Sequence, residues 1–96
     1  MFDLPVITAP QRKAYRQFRK QLIKNGFIMM QESVYTKIVL NPASASALVN
    51  RIKLFSPAEG MIQAMVVTEK QYAEMIMIRG EKQHEIIEDM EKVIVL

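Results

Sequence analysis

The sequence predicts a small single-domain α+β protein, and three observations support that fold class. The chain has 96 residues, a length that fits one domain with a modest core. Half of its residues are hydrophobic and 24% are charged, a balance typical of globular rather than disordered chains. Short apolar and β-branched runs alternate with two longer segments that carry helix caps.

The first predicted elements are a short strand and a helix. Residues 1–4 have strand character, and Pro5 closes that run. Thr8 is a helix cap, and Gln11 three residues later completes a capping box. We expect the helix to end near residue 25, because Gly26 supplies the left-handed backbone conformation at which helices commonly stop.

A hairpin and a second helix are predicted to follow. Residues 27–31 and 34–40 are apolar or β-branched runs separated by two residues, a spacing that suits a β-hairpin. Asn41 then caps a helix over residues 43–55, with Pro42 at the first helical position.

The last third of the chain is predicted to contain further short elements. Residues 61–67 form an apolar strand, residues 68–72 a capped helical turn, and residues 75–78 another short strand. Residues 80–92 are highly charged, which indicates an exposed connector or a short helix. Residues 93–96 close the chain as a strand.

The predicted order is β-α-β-β-α-β with an added C-terminal strand, which matches the ferredoxin-like arrangement of an antiparallel sheet with two helices on one face. Residues 1–80 form this domain, and residues 81–96 add the connector and the final strand.

The second face of such a sheet ordinarily meets water, yet residues 27–31 and 61–67 are apolar on both faces. We therefore expect a homodimer with stacked sheets. The alternative is that the chain's own connector and terminal strand cover that face.

Composition excludes several kinds of site. The chain has no cysteine, so disulfides and thiolate zinc sites are impossible. No apolar run is long enough for a membrane span or a signal peptide, so we expect a cytoplasmic protein with no membrane partner. The eight methionines are interpreted first as packing residues and second as ligands for a soft metal.

Charge is distributed unevenly along the chain. The net charge is +3, but residues 1–57 hold nine Lys or Arg and two acids, whereas residues 58–96 hold four and eight. This asymmetry suggests an anionic partner at one surface, although an ordinary solvated charge pattern gives the same totals.

The first helix concentrates the positive charge on one face. Tyr15, Phe18 and Leu22 form its apolar stripe at helical spacing, and its cations occupy the neighbouring arc. Because no acid lies among them, the cations repel each other, and phosphates spaced along a nucleic-acid backbone would relieve that repulsion. An acidic protein surface and a plainly solvated face are the alternatives. The predicted nucleic-acid-binding residues are Arg12, Lys13, Arg16, Arg19, Lys20 and Lys24.

Two further residues bear on possible catalysis. Asp3 ends the first strand, where two copies facing each other across a dimer axis could share Mg²⁺ and a phosphate. The alternative is that Asp3 caps the following turn. His84, the one histidine, lies in the charged connector and is interpreted as solvated, so it gives little support to a toxin-like ribonuclease or an antitoxin-like module.

Five segments, in order along nearly the whole chain, resemble the CRISPR-associated protein 2 family in the form found in type II systems. They are FDLP at 2–5, RKAYRQFRK at 12–20, NGFIM at 25–29, SVY at 33–35 and VTEKQY at 67–72. The resemblance implies a ferredoxin-like homodimer that acts in spacer acquisition. It also implies that the homodimer bridges two dimers of the CRISPR-associated integrase around a double-stranded protospacer, while the integrase carries out the chemistry.

The same resemblance implies two further properties. Residues 93–96 would pair with the sheet of the partner chain and help to dock the integrase. Asp3 matches the catalytic and metal-binding aspartate of family members described as Mg²⁺-dependent endonucleases of RNA or DNA. We favour the non-catalytic scaffold and keep the endonuclease as the alternative function.

The chain departs from the family pattern in two places. Only two residues precede Asp3, where relatives have several hydrophobic ones, so either the start codon has been placed downstream or the chain has been clipped. A shortened central strand weakens both the sheet and any metal site at its end. Glu32 lies in the hairpin turn, where relatives often have an uncharged or aromatic residue, and nothing in the sequence explains it.

Overall fold

The computed structural model describes residues 1–80 and 92–96. The predicted connector therefore lies almost wholly outside the described residues, and so does His84. The elements, in order, are β1 (Phe2–Asp3), α1 (Ala9–Lys24), β2 (Ile28–Gln31), β3 (Val34–Val39), α2 (Pro42–Phe55), β4 (Met61–Ile62), β5 (Met65–Thr68), α3 (Glu69–Ala73) and β6 (Lys92–Val95). The predicted α+β class is confirmed, with an element order compatible with a ferredoxin-like fold.

Local capping signals fix the start and the end of α1. The Thr8 hydroxyl accepts a hydrogen bond from the Gln11 backbone N–H at 3.2 Å, and the Gln11 side chain accepts one from the Thr8 N–H at 3.0 Å. This is the predicted capping box, which satisfies two backbone donors that the helix leaves free. The helix ends at Asn25, and Gly26 follows with φ of 90°.

The other two helices also begin at the predicted caps. Asn41 accepts a hydrogen bond from the Ser44 backbone N–H at 2.8 Å, and Pro42 takes the first position of α2. Thr68 and Gln71 repeat the capping box of α1 at the start of α3.

The strands form two antiparallel sheets. One sheet has the order β2-β3-β6-β5, and the other is the pair β1-β4. The expectation of a single strand over residues 61–67 is wrong, because the chain passes from one sheet to the other at Gln63 and Ala64. The backbone N–H of Gln63 donates to the Met1 carbonyl at 2.8 Å, which commits β4 to β1 and leaves β5 to pair with β6.

The prediction of a strand over residues 75–78 is also wrong. The Glu74 and Met75 backbone N–H groups donate back to carbonyls of α3, at 3.0 and 3.2 Å, so they continue a helical turn. A donor used in this way is not available to a strand ladder. The apolar run therefore lies at the surface, with Ile76 83% and Ile78 97% exposed.

β6 occupies a central position in the larger sheet. Val95 lies opposite Thr36 of β3 on one side and Met65 of β5 on the other. β1 has only two residues. β6 has four, of which three are buried, and its backbone pairs with a neighbouring strand along each of its two edges. In the single chain β6 thus pairs within its own sheet, and its expected pairing with a partner chain stays a prediction.

The main core lies between the larger sheet and the helices α1 and α2. Phe18 and Leu22 of α1 and Ile52 of α2 are buried against Ile94 and Leu96. The predicted apolar stripe of α1 therefore faces the sheet, and this fixes its cations on the opposite and lateral surfaces.

The second face of the sheet is apolar as predicted. Val93 and Val95 are buried there beneath Tyr72 of α3, and Met75 packs beside them. The rim is more open, since Ile28 is 50% and Met65 51% exposed. Part of this face is therefore covered by the chain's own α3, and the expected cover by a second copy concerns the remainder.

Candidate nucleic-acid interface

The predicted cations of α1 form one exposed surface, which we call the basic face. Because Phe18 and Leu22 anchor the helix on the sheet, the cationic residues project into solvent. The helix contains no acidic residue, and in residues 1–80 and 92–96 none of these cations pairs with a carboxylate. The basic face consists of Arg12, Lys13, Arg16, Arg19, Lys20 and Lys24.

Two of these cations make hydrogen bonds inside the protein. Arg12 donates through Nη1 to the carbonyls of Ile7 at 2.6 Å and Val6 at 3.3 Å, so it ties down the loop that enters α1. Arg19 donates through Nε to the hydroxyl oxygen of Tyr35 at 2.7 Å.

The other four cations, Lys13, Arg16, Lys20 and Lys24, make no hydrogen bond within the part of the chain that the structure describes. Four exposed cations without partners remain hydrated and repel one another by a few tenths of a kcal/mol per close pair. A polyanion laid along α1 would replace that repulsion with attraction and release its own counterions.

The structure adds two cations that the sequence did not indicate. Arg51 of α2 donates to the Asn25 side-chain oxygen at 3.3 Å, and Lys37 of β3 lies over Gly26, where an added Cβ would collide with its ammonium group. Both extend the basic face beyond the end of α1. The sequence gives the helical position of Arg51, but knowing which side of α2 meets α1 requires the tertiary packing.

Asp3 is exposed at the end of β1, away from any cluster of metal ligands. Its neighbour Phe2 is buried, and the backbone of Asp3 pairs with Met61 of β4. The described part of the chain contains no group of three or more His, Cys, Asp or Glu side chains placed to hold a metal ion. Asp3 itself offers one carboxylate, so Mg²⁺ held there would need further oxygens from phosphate and water.

The alternative role of Asp3 as a turn cap gains no hydrogen bond in the structure, since its carboxylate accepts none within the described residues. What holds Asp3 in place is backbone packing. The Gly60 Cα lies so close to the Asp3 carbonyl that a Cβ at Gly60 would stand 2.6 Å from that oxygen. At the other end of β1, partial burial lowers the pKa of the Met1 amino group.

No described helix is long and apolar enough to cross a membrane.

Comparison with known proteins gives consistent matches over most of the chain. The family model described as "CRISPR associated protein Cas2" matches residues 1–75. A protein of Treponema denticola is 50% identical over 95 residues, covering 99% of this chain and 94% of its own length. One of Ligilactobacillus salivarius is 46% identical over 96 residues, covering 100% and 95%. One of Streptococcus mutans is 51% identical over 82 residues, covering 85% and 77%. Each of these relatives is named "CRISPR-associated endoribonuclease Cas2".

Proposed function

Because the chain belongs to the Cas2 family of CRISPR-associated proteins, we propose that it is the subunit of a CRISPR adaptation complex that holds a nucleic-acid backbone. In this proposal a homodimer with stacked sheets bridges two dimers of the CRISPR-associated integrase around a double-stranded protospacer in the cytoplasm. The observation that carries the proposal is the basic face of α1, with four exposed cations that have no partner in the described chain.

The basic face fits a duplex backbone better than a single strand or a base sequence. Proteins that bind single strands usually offer exposed aromatic rings on which bases stack. Here the aromatic rings of α1 point the other way, since Phe18 is buried and Tyr15 is half-buried against the core. Exposed Lys and Arg without such rings contact phosphates and carry no sequence information.

The homodimer in this proposal rests on the second face of the sheet. Ile28 and Met65 are each about half exposed at its rim, next to the half-buried Met30. A second copy stacked on this face would remove that apolar surface from water. The homodimer would also carry two copies of the basic face, which suits a ligand whose phosphates repeat along a backbone.

A half-site integration assay with the neighbouring integrase tests the proposed function. We expect the integrase to insert a protospacer duplex at the leader end of the repeat array only when this chain is added, and the two proteins to co-purify. Omitting the duplex while keeping both proteins is the control for background nicking. Integration at the same rate without this chain, or failure of the chain to bind duplex even at low salt, would contradict the proposal.

A second candidate function is a nuclease, and the names of the relatives favour it. Asp3 is the residue concerned, because it is exposed at the end of β1. In this function Asp3 of each of two copies would hold Mg²⁺ together with water and phosphate oxygens, and the ion would polarise the scissile phosphate. Each chain would provide one of the two carboxylates.

Asp3→Asn separates the two candidate functions. We expect this variant to keep duplex binding and integration within about twofold of the unchanged protein, because Asp3 lies outside the basic face and a single rim charge contributes little to backbone affinity. Cleavage of RNA or DNA is measured in parallel, with Mg²⁺ and with a chelator. Glu32→Gln is the matched control, since Glu32 is also an exposed carboxylate outside the helices.

The outcomes of the Asp3 experiment are distinct. Loss of integration in Asp3→Asn, with Glu32→Gln unaffected, would contradict a scaffold role. Mg²⁺-dependent cleavage that disappears in Asp3→Asn and persists in Glu32→Gln would establish the nuclease. Cleavage that persists equally in both variants would show that Asp3 is not responsible for the activity.

A further inference from the structure

We propose that Tyr35 is a positioning residue that sets the guanidinium of Arg19 for phosphate binding, an inference that rests on the proposed function. Tyr35 is 1% exposed, and its hydroxyl oxygen accepts the hydrogen bond from Arg19 Nε at 2.7 Å. Arg19 is exposed apart from this contact. The buried ring thus ends in a hydroxyl group that lies beneath one cation of the basic face.

Tyr35 is held by a ring contact and along its backbone. Its ring stacks on Phe2, with centroids 5.7 Å apart and planes inclined by 24°. Its backbone N–H and C=O both bond to Leu96, each at 2.8 Å. Because the ring stands in the sheet rather than on a loop, its hydroxyl is a fixed point from which Arg19 is oriented.

The identity of the nitrogen decides what Arg19 can still bind. Arginine has five N–H donors, of which one is on Nε and four are on the two terminal nitrogens. The bond to Tyr35 uses the Nε donor, so both terminal nitrogens stay available for a bidentate contact with one phosphate. Arg12 differs, because one of its terminal nitrogens, Nη1, donates to the carbonyls of Val6 and Ile7.

Orienting Arg19 in advance makes binding more favourable. Immobilising a long side chain at an interface costs about 0.5–1.5 kcal/mol of conformational freedom, and an anchored side chain has already lost part of that freedom. Lys13, Arg16 and Lys20 have no such anchor in the described chain. Arg12 and Arg19 are therefore the cations of α1 that are ordered before the ligand arrives, and of these two Arg19 keeps both terminal nitrogens free.

Tyr35→Phe tests this assignment, because it removes the hydroxyl and keeps the buried ring and its stack on Phe2. We expect the affinity for a duplex of random sequence to fall about three- to tenfold at fixed salt, which corresponds to the cost of ordering one side chain. In an Arg19→Ala background the same substitution should have no further effect. Tyr15→Phe is the matched control, since the Tyr15 ring also packs against Phe2 but its hydroxyl makes no hydrogen bond within the described residues.

Each result bears on the assignment. Equal duplex affinity in Tyr35→Phe and the unchanged protein would overturn it while leaving the proposed function intact. An affinity loss of the same size in the Arg19→Ala background would also overturn it, because Tyr35 would then act through the fold and not through Arg19. Thermal unfolding of both tyrosine variants separates a stability loss from a binding loss. If the unchanged protein binds no duplex, the proposed function itself fails.

Discussion

Replacing Arg16 and Lys20 together by glutamate is expected to abolish duplex binding at physiological salt. The two residues lie four positions apart on the exposed side of α1 and make no hydrogen bond within the described chain, so the substitutions remove no hydrogen bond from the described fold. Each lost phosphate contact lowers the slope of log affinity against log salt by about 0.9, and the introduced carboxylates add repulsion. We expect the affinity to fall by at least about 100-fold, measured by fluorescence anisotropy over a salt series.

A charge-matched variant shows whether position or total charge matters. Lys70→Glu with Arg79→Glu changes the net charge by the same amount, and both residues are exposed and lie outside α1. We expect this control to keep most of the affinity and nearly all of the salt slope. Equal losses in the two double variants would mean that the overall charge attracts the duplex, and the basic face would lose its assigned role.

Gly60→Ala is expected to destabilise the protein by roughly 2–6 kcal/mol, a large part of the 5–15 kcal/mol that stabilises a typical domain. Gly60 has φ of 93°, which costs a residue with a side chain about 1–3 kcal/mol. In addition, the new Cβ would stand 2.6 Å from the Asp3 carbonyl oxygen and 2.7 Å from Leu4 Cδ2. Overpacking of this kind adds about 1–3 kcal/mol, because β1 must move to make room.

Gly26→Ala separates the two causes of that loss. Gly26 has a similar φ of 90°, but the atoms near its added Cβ belong to the flexible side chain of Lys37, which can swing away. We expect urea unfolding to show a clearly smaller loss for Gly26→Ala, at an unchanged denaturant slope. Equal losses in the two variants would show that the close packing of Gly60 on β1 does not contribute to the free energy of unfolding.

The helices were predictable because their signals are local. Thr8 with Gln11 and Thr68 with Gln71 lie three residues apart, and each pair forms the expected capping box. Strand pairing depends on distant residues and was predicted less well. Residues 61–67 are apolar throughout, and nothing in that run indicates that Gln63 would bond to Met1 and divide it between two sheets.

The basic face was predictable for the same local reason, since helical periodicity places its cations beside the stripe of Phe18 and Leu22. Its internal contacts were not predictable. The hydrogen bond from Arg19 to Tyr35 joins a helix to a strand, and the bond from Arg51 to Asn25 joins two helices. Both depend on how α1 and α2 lie on the sheet, which periodicity alone does not specify. The periodicity identified the cations, and the packing shows which of them are already ordered.

The central place of β6 has a consequence for how the protein is made. β6 lies between β3 and β5. These two strands therefore cannot join one sheet until residues 92–95 have been synthesised. The earlier hairpin and helices can assemble during synthesis, but the sheet closes only afterwards, by the non-local pairing that is intrinsically slow. In that interval the facing edges of β3 and β5 present unpaired backbone groups, with which strands of other nascent chains can pair.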